Sequence, residues 1–295
     1  MEKAVKLIKL SATPISIFYP LPIVPAVVFS LASAGKDLFT LLKMISLTFT
    51  FFAAINLWNH INDVQEDLLS NRQNVFSENE DLRKIGVLLV LGLYFLSFYF
   101  VWIWSLDKLA FRFFIVVALL TWIYSDKFIF GKYLIRFKDY YMTEIFTYAL
   151  AYPFFIFTLW SLASKLNYKA YVLATLLLFF GLYGLFLKDI KDITGDEQAG
   201  LNTLAVKFEP SALFKFSLLF LFIFYSLIAV FSLLGLLPTL SFVIFFFIVI
   251  PIYVIKVLYK NQWKFTLDLS NLLNLMTTLN VMSLVLLALI ATFKL

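Results

Sequence analysis

Oxygen-bearing side chains recur at helical spacing in two places along the chain. In the segment Asn56-Leu-Trp-Asn59-His60-Ile-Asn62-Asp63-Val-Gln-Glu66-Asp67, residues Asn59, Asp63 and Asp67 lie four apart. Four residues advance only about 40° around an α-helix, so the three side chains share one stripe. Glu66 lies one step around, placed either to assist or to face water. The second segment reads Lys188-Asp189-Ile-Lys191-Asp192-Ile-Thr-Gly195-Asp196-Glu197. Asp192 and Asp196 repeat the four-residue spacing, and Asp189 lies one turn earlier on nearly the same face. Gly195, without a Cβ, lets backbone or ligand come close. Converging carboxylates repel one another unless a cation joins them. Hard oxygen donors suit Mg2+, which takes one or two carboxylates and leaves its other positions to water and phosphate oxygens. Two such clusters facing each other can hold a diphosphate between Mg2+ ions and stabilise the charge that develops as it leaves. A single acidic pair at a helix end is ordinarily a solvated loop feature. Two pairs at matching positions, the first extended by Asn59, outweigh that plain reading.

The elements that carry these residues are set by composition. Of the 295 residues 62% are hydrophobic and only 14% charged, against roughly a quarter charged in soluble domains. The apolar residues come in runs long enough to cross a hydrocarbon core, which needs about 20 residues as helix. Nine spans are predicted, near 15–34, 37–58, 84–106, 109–125, 140–163, 168–188, 211–235, 237–259 and 272–293. The backbone must satisfy itself inside lipid, so the spans are helices and the chain is an all-α polytopic membrane protein. The absence of cysteine excludes disulfides, thiolate catalysis and Cys-ligated zinc, and a lone histidine, His60, excludes a His-rich metal site. The net charge of +6 reads as topological rather than as a nucleic-acid footprint.

The basic residues set an orientation. With the N-terminus cytoplasmic, seventeen of the 24 Lys and Arg residues fall inside. Positive-inside bias therefore predicts a cytoplasmic N-terminus and, with nine spans, a C-terminus outside. Among the acids only Asp37 and Asp107 fall outside. The long polar loops 63–83, 126–139 and 189–210 all lie on the inner side, and long loops in compact proteins are commonly functional. The basic start, apolar run and Ala32-Ser33-Ala34 superficially resemble a signal peptide; the run is long for one, and Pro14, Pro20, Pro22 and Pro25 suit an irregular structural helix better. Asp63 and Asp192 are 129 residues apart, as are Asp67 and Asp196. Each cluster ends an even-numbered span, so the expectation is one domain over 1–295. It would contain a duplicated four-helix unit, with pseudo-repeats at roughly 10–139 and 140–265, plus a ninth helix at 268–293.

These residues resemble the UbiA superfamily of intramembrane prenyltransferases. That family's first motif, Asn-Asp-x-x-Asp-x-x-x-Asp, is similar to Asn59-His60-x-x-Asp63-x-x-x-Asp67, with His at the second position. A register starting at Asn62-Asp63 would put Glu66 and Ser70 at the acidic positions, so the first register, which keeps both aspartates, is preferred. The second motif, with its Lys-Asp-x-x-Asp-x-x-Gly-Asp context, resembles Lys188-Asp189-x-x-Asp192-x-x-Gly195-Asp196, continued by Gly200-Leu-Asn-Thr203-Leu204. Tyr124-Ser125 followed by Arg136-Phe137-Lys138 is similar to a third family feature, with a longer link lacking proline. Arg72 follows the first motif, without the family's Asn-Arg-Pro.

The resemblance implies transfer of an isoprenyl chain from an allylic polyprenyl diphosphate to an aromatic or lipid acceptor. Asn59, Asp63, Asp67, Asp189, Asp192 and Asp196 would carry Mg2+ and diphosphate. Arg136, Lys138, Lys188 and Arg72 would neutralise diphosphate oxygens, and the Tyr124 ring would stabilise an allylic cation. Acceptors within the superfamily include quinone-ring precursors, homogentisate-like aromatics, haem and an archaeal glyceryl phosphate ether; Ala199 to Val206 is faintly similar to menaquinone-type members.

Other residues have plainer readings. His60 points roughly 100° from its neighbours on the stripe and reads as a packing or interfacial residue. Glu144 opens the fifth span, at the interface or against the acceptor. Asn271 and Asn274 either line an acceptor pocket or bond between helices. Most of the 36 phenylalanines face lipid or pack. The rival function is a cation-coupled transporter, but such sites lie near the midplane, often in inverted repeats, whereas these acids end spans in a parallel repeat. A CDP-alcohol phosphotransferase would need an Asp-rich arrangement along one segment that is not present.

Overall fold

The computed structural model describes residues 7–8, 10–11, 23–32, 37–69, 74–77, 79–133, 135–189, 193–263 and 267–294; the side chains of 189, 193–195 and 267–271 fall outside the description. The described secondary structure is helical, with one isolated parallel bridge between Tyr140 and Asn202. In chain order the α-helices are α1 (Ile23–Ala32), α2 (Leu38–Asn62), α3 (Val64–Leu69), α4 (Glu80–Trp104), α5 (Lys108–Ser125) and α6 (Tyr141–Ser161). They continue with α7 (Tyr168–Asp189), α8 (Ile193–Gln198), α9 (Leu204–Lys207), α10 (Pro210–Leu233), α11 (Val249–Lys260) and α12 (Leu267–Phe293). Short 3-10 turns occupy Phe130–Lys132 and Phe137–Asp139.

Local chemistry starts these helices where the sequence places polar residues before apolar runs. The Asp37 carboxylate accepts from the Thr40 amide at 3.0 Å, Asn79 from Leu82 at 2.9 Å and Asp107 from Leu109 at 2.9 Å. Each satisfies one of the amides that a helix N-terminus leaves without a partner. Pro210 stands at the first position of α10, where a missing N–H costs nothing.

Among the described residues eight helical segments are long and apolar enough to cross a membrane. They match the second to ninth predicted spans. Where the first was expected, the described part is the shorter α1, and residues 12–22, with Pro14, Pro20 and Pro22, lie outside the description, as do Ser33 and Ala34 of the signal-peptide reading. The span predicted as one helix over 237–259 is instead a 3-10 segment, Thr239–Ile248, running into α11. Pro251 explains part of this: it has no amide to give the carbonyl of Phe247, and its ring crowds that carbonyl.

Helix α4 packs on α2, α5 on α6, α6 on α7, α7 on α10, and α12 on α1. Large apolar side chains such as Phe95 and Trp102 remain on the outer surface, as expected where lipid is the solvent. Inside, polar bonds tie the bundle. Tyr225 donates to Asn280 at 2.6 Å, Asn280 donates to Tyr183 at 3.0 Å, and Ser217 donates to the Tyr183 carbonyl at 2.9 Å, linking α7, α10 and α12. Each such bond contributes about 0.6 to 2 kcal/mol in a membrane bundle. Gly181 permits a close crossing of α6 and α7, since a Cβ there would stand 2.9 Å from the Tyr152 ring.

Candidate functional site

Helix α2 ends at the first acidic segment, with Asp63 between α2 and α3 at φ −93°, ψ 13°. The chain bends there, yet the Asp63 amide donates to the Asn59 carbonyl and the Asp67 amide to the Asp63 carbonyl, both at 2.9 Å. The helical bonding survives the bend, and the expected register of Asn59, Asp63 and Asp67 survives with it. Trp58 fixes this end of α2: its indole stacks on Trp122 at 4.2 Å and donates to the Trp122 carbonyl at 3.1 Å.

The loop between α5 and α6 is built around a buried carboxylate. Asp126 is fully buried and accepts from the amides of Phe128 at 2.9 Å, Ile129 at 3.2 Å and Phe130 at 2.6 Å. The Lys127 amide donates to Asn62 at 2.8 Å, tying the loop to the end of α2. So held, the loop delivers three cations to the first acidic segment. Lys127 Nζ binds both Glu66 oxygens at 2.7 and 2.8 Å. Arg136, only 4% exposed, pairs with Glu66 at 2.6 Å, Asp139 at 2.7 Å and Asp63 at 3.4 Å. Lys138 Nζ pairs with Asp63 Oδ1.

Burial pushes the Glu66 carboxyl up, but the Lys127 hydrogen bond and the Arg136 charge outweigh it and hold the group at about 2. For Arg136, burial acts downward and the Asp139, Glu66 and Asp63 carboxylates more than offset it, so its charge is reinforced.

Asp67 is positioned from the other side. Asn74 donates to Asp67 Oδ2 at 2.7 Å and to the His60 carbonyl at 2.9 Å. Asn59 receives a hydrogen bond from Ser125 Oγ. His60 thus enters through its carbonyl, and its side chain is half-buried.

The second acidic segment reaches the same place through backbone contacts. Helix α8 packs against α3. The Asn202 amide donates to the Asp139 carbonyl, and the Tyr141 amide to the Asn202 carbonyl, both at 2.9 Å. Asp196 Oδ2 accepts from Thr203 Oγ1 at 2.7 Å, and Gly200 turns the chain at φ +67°, a conformation that favours glycine. Asp192 and Arg72 lie outside the described residues, as does the side chain of Asp189.

Below the acids lies a cavity of about 160 Å³ between α2, α5 and α6, capped by Val24 of α1 and Leu177 of α7. Asn59, Tyr124 and Thr147 line it together with Phe51, Phe52, Ile55, Tyr148, Ala151, Tyr152 and Phe155. Its size is about that of a cavity that takes one benzene ring. Tyr124 donates to Glu144 Oε1 at 2.6 Å, and Lys188 Nζ stands 3.7 Å from the same oxygen. Lys188 therefore reaches Glu144 of α6. Glu144 is 3% exposed and so is buried within the bundle.

The sequence reading gave no site role to Lys127, Asp126, Asp139 or Asn74, and named Asn62, Ser125 and Thr203 only within motif contexts. Asn62, Ser125 and Thr203 stood inside the quoted motif contexts and Lys127 followed one closely, which was a usable signal; Asn74 had none. Among the described residues no group of three or more acids stands ready as a metal cage. The donor set is nevertheless chemically suited to a hard cation: Asp63, Asp67, Asp196 and Asn59 offer oxygen only, as Mg2+ requires.

The sequence profile described as the UbiA prenyltransferase family matches residues 21–276. An uncharacterized protein of Archaeoglobus fulgidus is 38% identical over 213 residues, spanning 72% of this chain and 73% of that one. Among solved structures, one of a digeranylgeranylglyceryl phosphate synthase superposes with a TM-score of 0.73 at 17% identity, covering 99% of both chains. A UbiA homologue from Archaeoglobus fulgidus bound to DMAPP and Mg2+ gives 0.67 at 16% identity, covering 98% of this chain and 100% of that one. A UbiA homologue from Archaeoglobus fulgidus bound to GPP and Mg2+ gives 0.69 at 16% identity, covering 97% of this chain and 99% of that one. At these identities the solved structures carry the fold, and the profile, matched across most of the chain, carries the family: this multi-pass membrane protein belongs to the UbiA prenyltransferase family.

Proposed function

We propose that the protein transfers an isoprenyl chain from an allylic polyprenyl diphosphate to an aromatic or lipid acceptor at the cytoplasmic edge of the membrane. The observation that carries this reading is the meeting of α3 and α8, with the loop bearing Arg136 and Lys138, over an apolar cavity that reaches Asn59. A diphosphate needs carboxylate-held cations and basic groups; a prenyl chain needs a dry slot beneath. Both stand at one end of the bundle.

Asn59, Asp63, Asp67 and Asp196, joined by Asp189 and Asp192, would hold Mg2+. When bound, Mg2+ would screen the diphosphate charge and favour its departure. Lys138 and Arg136, which pair with Asp63, would turn their charge to diphosphate oxygens. Tyr124 presents its ring to the slot beside Asn59, where it can stabilise a developing allylic cation. The apolar walls, Phe51, Phe52 and Phe155 among them, keep water from that carbon. Solved homologues that bind DMAPP or GPP with Mg2+ support the donor class. The excess of Lys and Arg on the acid-bearing side supports the cytoplasmic placement.

The test is transfer of label from geranylgeranyl diphosphate to a lipid extract of the source cells by detergent-purified protein with Mg2+. The expected result is a new prenylated product that vanishes with EDTA and in Asp63→Asn and Asp196→Asn. Failure to bind any allylic diphosphate in a Mg2+-dependent way would overturn the proposal and return the cation-coupled transporter to first place.

A further inference from the structure

We infer that Tyr124 and Glu144 form a proton relay for an acceptor that attacks through a hydroxyl group. This rests on the prenyl-transfer reading above and adds the class of nucleophile.

A phenol carries one hydrogen. That of Tyr124 is committed to Glu144 Oε1 at 2.6 Å, so toward the cavity its oxygen can only accept. Diphosphate oxygens and carbonyls, which also only accept, gain nothing from it; a hydroxyl does. Glu144 is 3% exposed, and its Oε2 has no hydrogen-bond partner among the described residues. A purely structural tie between α5 and α6 would account for Oε1 but would leave Oε2 desolvated without return. A carboxylate that receives a proton at Oε1 becomes neutral, which lifts the desolvation cost that the bare Oε2 otherwise bears. Glu144 also heads the correct helix face, three and four residues before Thr147 and Tyr148, which line the cavity. Among the described residues the charged or titratable groups around the pair are Lys188 from α7 and Tyr148 from α6. Lys188 is half exposed and marks the route by which a proton reaches water.

The step balances as follows. The acceptor oxygen bonds to C1 of the allylic chain while the C1–O bond to diphosphate breaks, its electron pair leaving with the diphosphate. The hydroxyl proton passes to Tyr124 Oη, and the tyrosine's own proton passes to Glu144 Oε1. The product is an ether, Tyr124 is again a neutral phenol, and Glu144 later gives its proton to water beside Lys188.

The experiment uses labelled geranylgeranyl diphosphate, Mg2+ and two hydroxyl probes, n-octanol and geranylgeranylglyceryl phosphate, with purified wild type, Glu144→Gln, Tyr124→Phe and the double variant. Wild type is expected to form a prenyl ether. Each single variant is expected to lose transfer by about 100-fold or more while still releasing diphosphate, with the label diverted to prenyl alcohol. The double variant is expected to fall no further than the singles, as for residues acting as one unit. Damage to the diphosphate site would depress release and transfer together, so the ratio of ether to alcohol separates the two. If Glu144→Gln does not fold, Tyr124→Phe, which keeps the carboxylate, decides the matter. Transfer within threefold of wild type in the variants would overturn the relay. A wild type that releases diphosphate but prenylates neither hydroxyl probe would overturn the nucleophile class. A wild type that releases none would overturn the prenyl-transfer reading itself.

Discussion

Arg136 and Glu66, seventy residues apart in the chain, are joined by a 2.6 Å ion pair that fastens the loop between α5 and α6 to the first acidic segment. Arg136 is the hub of the site, reaching three carboxylates while almost wholly buried. Replacing it with alanine leaves those carboxylates facing one another. Breaking a buried pair from one side costs about 3 to 5 kcal/mol, so Arg136→Ala should lower the detergent melting temperature clearly and abolish donor binding. Arg136→Lys, unable to span Glu66 and Asp139 at once, should recover only part of either. A variant that melts and binds like wild type would remove Arg136 from the site.

Among the described residues Lys138 pairs with Asp63 and with no other carboxylate. Lys138→Met should therefore leave stability nearly intact and weaken diphosphate binding. The loss of one charge-assisted contact corresponds to about 10- to 100-fold in donor KM. Titration of geranyl diphosphate by calorimetry at two salt concentrations would check this, since the wild type's affinity should fall more with salt than the variant's.

Glu66 gives the site an acid-sensitive element. Its folded value of about 2 lies below the ordinary 4.5. A depressed carboxylate contributes stability that is complete above the ordinary value and is lost as pH falls through the folded one. Melting curves between pH 6 and 3 should therefore decline more steeply for wild type than for Glu66→Gln, with the variant the less stable at pH 6. Parallel declines would contradict the pairing with Lys127 and Arg136.

Gly131 lies where a Cβ would strike the carbonyl oxygen of Asp126. Gly131→Ala must shift the backbone that carries Arg136 and Lys138, at a cost of about 1 to 3 kcal/mol. The expected signature is a raised donor KM with the helical content by circular dichroism unchanged.

Ala151 is a small residue on the cavity wall contributed by α6. Ala151→Phe should shorten the longest donor accepted: turnover of dimethylallyl diphosphate stays within threefold while that of geranylgeranyl diphosphate falls at least tenfold, an effect of lost volume. Equal loss for both donors would place the prenyl chain elsewhere.

The sequence by itself determined the all-α membrane architecture and eight of the long spans within a few residues. These are legible because the bilayer imposes a length and a composition on every span, and because residues four apart share a helix face whatever surrounds them. The bend at Asp63 escaped the pattern, yet local helical bonding through Asn59 and Asp67 kept the register. The 3-10 course of Thr239–Ile248 was hidden because an apolar run reads the same in either helix type.

Only the tertiary structure decided which charges meet. Nothing in the spacing of Lys127, Arg136 and Lys138 says that they fall on Glu66 and Asp63, because that depends on a loop folded around the buried Asp126 and pinned by Asn62. Lys188 sits beside the second acidic segment in sequence, yet pairs with Glu144 where α6 and α7 cross closely at Gly181. The Tyr124–Glu144 contact joins residues twenty apart on two helices. Local rules place each side chain on its own helix; the packing of one helix on another sets their distance.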